Sequence, residues 1–121
     1  MTPDGGDIFD RCMDNLFAGT ENIRETSLYF DTVKRVDKNT CPIFMMHTVE
    51  DETVPVENAY LMSEALFANN LPHELYVMPH GQHGIGLCEE NTRIENDRFF
   101  EYNSAWVHRS IAFLTLLFGE N

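Results

Sequence analysis

A chain of 121 residues suits one domain built on a single modest core. Its 43% hydrophobic and 23% charged fractions are ordinary for a globular protein and exclude wholesale disorder. Asp and Glu outnumber Lys and Arg by 20 to 8, a formal net charge of −12, and such a surface repels phosphate backbones and anionic lipid. Neither nucleic acid nor a membrane is an expected partner.

The opening stretch Met1 to Asp7 has neither the basic nor the apolar region of a signal peptide. No segment approaches the roughly 20 apolar residues that span a bilayer. Cys12, Cys41 and Cys88 form an odd, scattered set without metal spacing, which reads as free thiols in a cytoplasmic chain. With no repeat or low-complexity linker, residues 1–121 are expected to be a single domain: an irregular, partly helical lead-in over 1–40, then a core over 41–121. Within the lead-in, Asp10 to Phe17 predicts a short helix ended by Ala18-Gly19-Thr20, and Ile23 to Val36 a weaker helical or irregular stretch.

The pattern sharpens after Cys41. Pro42 to His47 is a short continuous apolar run, the signature of a strand covered on both faces. A polar loop, Thr48 to Pro55, leads into an amphipathic helix predicted over Glu57–Asn69, with Leu61, Met62, Ala65 and Leu66 on its apolar stripe. Pro72 cannot continue that helix. Glu74 to Met78 suits a second buried strand, followed by the glycine-rich loop Pro79 to Gly86. After a polar stretch from Glu89 to Arg98, a last helix is predicted over about Tyr102 to Phe118, with Tyr102, Trp106, Phe113, Leu114 and Leu117 apolar and Gly119 as its C-cap.

Strand, helix and strand within about 40 residues make a βαβ unit, which implies parallel strands and a right-handed crossover. The class is α/β, with a closing helix over the sheet. Chemistry in open parallel sheets collects in loops beyond the carboxyl ends of strands. Asp51 falls four residues past His47, where the first strand is expected to end, and His83 four past Pro79, where the second gives way to its loop. If the strands are neighbours about 4.8 Å apart, the two loops leave one rim together and a carboxylate can hydrogen-bond an imidazole. That bond fixes the tautomer of a general-base histidine and stabilises its imidazolium.

Simpler readings exist for each residue. Asp51 suits a turn or cap, and His83 a structural loop histidine, although Gly81, Gly84 and Gly86 give its loop unusual freedom. His80 reads as a loop hydrogen-bonder, His47 as structural, and His73 and His108 as surface or helix-face residues. A metal site from His80, His83 and Glu89 or Glu90 lacks ligand spacing. A Cys88 thiol nucleophile has nothing to activate it beyond the nearby His83. Trp106 and its aromatic neighbours read as core. No metal and no cofactor are expected.

The segment His47-Thr48-Val49-Glu50-Asp51-Glu52-Thr53-Val54-Pro55-Val56-Glu57-Asn58 resembles the acid loop of esterases in the α/β-hydrolase superfamily. Pro79-His80-Gly81-Gln82-His83-Gly84-Ile85-Gly86-Leu87 resembles their histidine loop. The likeness extends over about Leu16 to Phe118, and it is to microbial carboxylesterases and acetyl-xylan-esterase-like enzymes, including endo-xylanase-related hydrolases. It implies a partial α/β-hydrolase fold and a Ser-Asp-His triad to which Asp51 gives the acid and His83 the base. No G-x-S-x-G occurs, and Ser27, Ser63, Ser104 and Ser110 lack the flanking glycines of a nucleophile elbow; no HGGG-like oxyanion segment is present either. The resemblance therefore implies a truncated, C-terminal part of a serine carboxylic-ester hydrolase, inactive alone. Two alternatives stay open: a degenerate, non-catalytic module that self-associates, or one half of a split hydrolase whose N-terminal half is a separate chain. A bare apolar strand edge invites pairing, so a homo-oligomer formed through that edge or by helix exchange is the expected assembly.

Overall fold

Two parallel strands carry the architecture. In the computed structural model, which describes residues 15–20, 22, 31–88 and 99–119, β1 (Ile43–Thr48) pairs in parallel with β2 (His73–Met78). The register runs from Ile43 opposite His73 to Thr48 opposite Met78, so the strands end level. Between them lies helix α1 (Glu57–Ala68); after them come a short helix α2 (Phe100–Asn103) and helix α3 (Ala105–Phe118). A 3-10 turn at Val33–Arg35 precedes the sheet.

Side chains alternate across a strand, and the helices use that alternation. On the face of Phe44, Met46 and Thr48, α3 packs Phe113 against Phe44, ring centroids 5.9 Å apart, and Arg109 reaches Glu74 with two hydrogen bonds of 2.9 and 2.6 Å. On the opposite face, Ser63 of α1 bonds the His73 ring at 3.0 Å. A helix on each face of a parallel pair is the layered α/β arrangement the βαβ pattern implied. Met78, Ile85, Cys88 and Phe100 form the buried cluster under the histidine loop, with Met46, Tyr76 and Trp106 packed against it. Leu66 of α1 is fully buried.

Several boundaries and faces differ from expectation. Each strand is displaced by one residue at an end: β1 ends at Thr48 and β2 begins at His73. The last helix is two helices, because the chain turns at Ser104. Of its predicted stripe, Phe113 is buried, whereas Tyr102 and Leu114 are exposed; Leu61 of α1 is exposed too. Gly119 ends α3 in an extended conformation (φ −66°, ψ 141°) rather than a left-handed cap. The strand residues Ile43 to His47 and His73 to Val77 are half-buried, so neither strand is enclosed as a fully covered strand would be. The predicted helix at Asp10–Phe17 and the stretch from Ile23 lie largely outside the described residues.

Candidate active site

Because β1 and β2 end in register, the loops after Thr48 and Met78 leave one rim. Val49 N–H donates to Met78 O at 2.9 Å, carrying the strand pairing one bond further. The chain then turns, and Asp51 folds its carboxylate back over its own loop. Oδ1 accepts from the backbone N–H groups of Thr53 (3.0 Å) and Val54 (2.8 Å). Oδ2 accepts from His83 Nδ1–H at 2.9 Å. A charged carboxylate has no proton to give, so this contact requires the proton on Nδ1 and leaves Nε2 as the basic nitrogen.

The environments of the two groups differ in the sense this chemistry needs. The Asp51 side chain is 9% exposed and that of His83 53%. Burial opposes the Asp51 charge, but the Val54 N–H, the His83 ring and the Thr53 N–H together outweigh it and hold the carboxyl below its ordinary value. Asp51 is thus a fixed anion that orients the ring, while His83 faces an open cleft of about 300 Å³. That cleft is lined by Met46, Val54, Ile85 and Gly86 among others.

The histidine loop is anchored at its first residues. Thr48 Oγ–H donates to Gly81 O at 2.7 Å, and Asn103 Nδ2 donates to His80 O at 3.1 Å. Gly81 adopts φ +133°, and a Cβ there would sit 2.8 Å from Asn103 Nδ2 and 3.0 Å from Thr48 Cγ2. Only glycine fits. Glu50 reaches the same place: Oε1 accepts from His80 Nδ1–H at 2.8 Å and Oε2 from Gly81 N–H at 3.2 Å. Trp106 Nε1–H donates to Gly86 O at 3.2 Å at the loop's other end.

The remaining candidates lie apart from this pair, and His73, read from sequence as a surface or helix-face residue, is instead the half-buried first residue of β2. His47 Nδ1 lies 3.0 Å from the Thr48 backbone nitrogen, a local structural contact. Ser63 is engaged by His73, while Ser104 and Ser110 donate to the carbonyls of Glu101 and Val107. The Cys88 thiol is buried and donates to Ile85 O, which leaves it unsuited to attack a substrate. Among the described residues no group of His, Cys, Asp and Glu side chains is arranged to hold a metal ion; Glu89, Glu90 and Ser27 lie outside them. Sequence reasoning missed Glu50, Thr48, Phe99 and Asn103, whose partners sit in loops or helices far along the chain.

Comparison with known proteins bears on the family and the fold. Residues 10–110 match the family described as the prolyl oligopeptidase family. A curated relative, an endo-1,4-β-xylanase B of Butyrivibrio fibrisolvens, is 40% identical over 88 residues, covering 73% of this chain and 12% of that protein. A carboxylesterase of Lactobacillus plantarum superposes with TM-score 0.68 at 19% identity, covering 84% of this chain and 39% of its own. A sugar hydrolase of Lactococcus lactis superposes with TM-score 0.57 at 28% identity, covering 80% and 40%. The chain therefore spans well under half the length of each relative.

Proposed function

The chain belongs to the prolyl oligopeptidase family, with an α/β-hydrolase fold, and we propose that it is the portion of a serine acyl hydrolase that supplies the general base, His83, and its orienting acid, Asp51. The observation that carries this reading is the 2.9 Å bond from His83 Nδ1–H to an Asp51 carboxylate held by two backbone N–H groups. In such a reaction a serine hydroxyl, supplied by polypeptide beyond this chain, attacks an acyl carbonyl. His83 Nε2 takes the hydroxyl proton and later returns it to the leaving group. Asp51 stays ionised throughout and stabilises the imidazolium.

Ester substrates are favoured by the carboxylesterase-like loops, and a sugar as the alcohol half by the two relatives named for carbohydrate, the xylanase and the sugar hydrolase. Small acyl esters of sugars are the substrate class. The family's peptidase name favours a second reading, cleavage of amides by the same pair.

Loss of a nucleophile costs a serine hydrolase on the order of a million-fold in turnover. The chain on its own is therefore expected to hydrolyse p-nitrophenyl acetate no faster than its His83→Ala variant. A robust rate that depends on His83 would place a nucleophile within these residues and overturn that assignment. A hybrid in which residues 41–119 replace the equivalent segment of the Lactococcus lactis sugar hydrolase is expected to cleave acyl sugars and to lose that activity with His83→Ala. Peptide cleavage by the same hybrid would favour the amide reading.

A further inference from the structure

The two loops of the site carry a second carboxylate–imidazole pair that the proposed reaction leaves unused. Glu50 immediately precedes Asp51, yet the two carboxylates seize the histidine loop at separate points. Asp51 holds the ring of His83, whereas Glu50 holds the ring of His80 and the backbone N–H of Gly81. His80 is itself fixed from the other side, stacked on Phe99 with ring centroids 4.1 Å apart and planes 15° from parallel.

The loop is open around Gly84 and held by several hydrogen bonds at residues 80 and 81. A Cβ built on Gly84, at φ +85°, would meet nothing within 4 Å. Among the described residues, Asp51 is the one hydrogen-bond partner of the half-exposed His83 ring. Residues 80 and 81, by contrast, bond to Glu50, Thr48 and Asn103. The ring of His83 thus inherits its position from what is done to the chain two and three residues earlier.

We propose that Glu50 and His80 are positioning residues, whose bond across the two loops holds His83 where its Nδ1–H meets Asp51; this rests on the reading of Asp51 and His83 as the acid–base pair. Both members of the outer pair are substantially exposed, with side chains 51% and 41% accessible, so their contribution to folding stability is small. Their effect belongs in the tautomer and orientation of the His83 ring. A residue that merely stabilised the fold would leave that property alone until the chain unfolded.

The test is heteronuclear NMR of the His83 ring in the full chain at mildly alkaline pH, where the neutral tautomers are distinguished by their nitrogen couplings. Unsubstituted chain is expected to hold the Nδ1–H form. Glu50→Ala and His80→Ala are each expected to lower the Nδ1–H to Nε2–H ratio by roughly threefold or more, the scale of one hydrogen bond. Glu50→Gln, which keeps one of the two acceptor oxygens, and His80→Asn, which keeps a side-chain donor, are expected to restore part of it. Thermal unfolding is followed in parallel and is expected to change little. An unchanged ratio in both alanine variants, failure of both conservative variants to restore it, or outright unfolding of Glu50→Ala would each overturn the proposal. An unsubstituted chain already in the Nε2–H form would instead contradict the Asp51–His83 reading itself.

Discussion

Asp51 keeps its charge because three donors converge on it: two from its own loop and one from His83. Its carboxyl is held below the ordinary value in the folded chain. A group lowered in this way stabilises the fold at pH above the unfolded Asp value and loses that contribution as the pH falls through the folded one. The loss therefore falls below about pH 4. Urea unfolding midpoints measured between pH 6 and pH 3 are expected to drop, and Asp51→Asn is expected to make that drop shallower. An identical acid slope in the variant would mean the folded carboxyl is not stabilised. At this scale the juxtaposition of the two side chains was legible from sequence, because each residue lies a few positions past the end of one of two neighbouring strands, Asp51 three after Thr48 and His83 five after Met78. Glu50 was not. A glutamate in an acidic loop reads as a solvated charge until the loop that receives it is placed 30 residues on.

The elements meet at Gly81. The end of β1 presents Thr48, α2 presents the fully buried Asn103, and the histidine loop threads between them. Gly81→Ala would place a methyl group against both at a backbone angle that disfavours any side chain. The expected cost is about 1–3 kcal/mol, read as a lowered denaturation midpoint, with loss of the His83–Asp51 contact. Wild-type stability in this variant would mean that the loop has room there. The strands themselves were readable as apolar runs bounded by a cysteine, a proline and a glycine loop. The break at Ser104 was not readable, since no glycine or proline near it marks a turn, and the turn goes with the bond from Asn103 of α2 to the histidine loop. Nor was the exposure of Tyr102, Leu114 and Leu61, because periodicity marks which residues share a face and not whether anything covers it.

At the scale of the whole molecule, a two-stranded sheet has only edge strands. Among the described residues β1 pairs with β2 alone, and the strand residues are half-buried where a central strand would be enclosed. Leu116 and Phe118 of α3 and Phe67 of α1 stand largely in solvent. Unpaired backbone and apolar side chains together favour further pairing. Light scattering after size-exclusion chromatography is expected to give a mass above the 14.0 kDa of one chain at micromolar concentration. A clean monomer would count against association through this sheet or its helices. The fold class was legible at this scale because a βαβ unit declares itself over 40 residues, whereas assembly depends on surfaces whose partners lie outside the chain.

The most direct measurement is turnover of an acyl sugar by the hybrid hydrolase carrying residues 41–119, compared with the same hybrid bearing Asp51→Asn. If Asp51 sets the tautomer of His83, kcat falls on the order of 10⁴-fold while KM stays within a few-fold. A variant within tenfold of the parent would contradict the assignment of Asp51 and His83 as the acid–base pair.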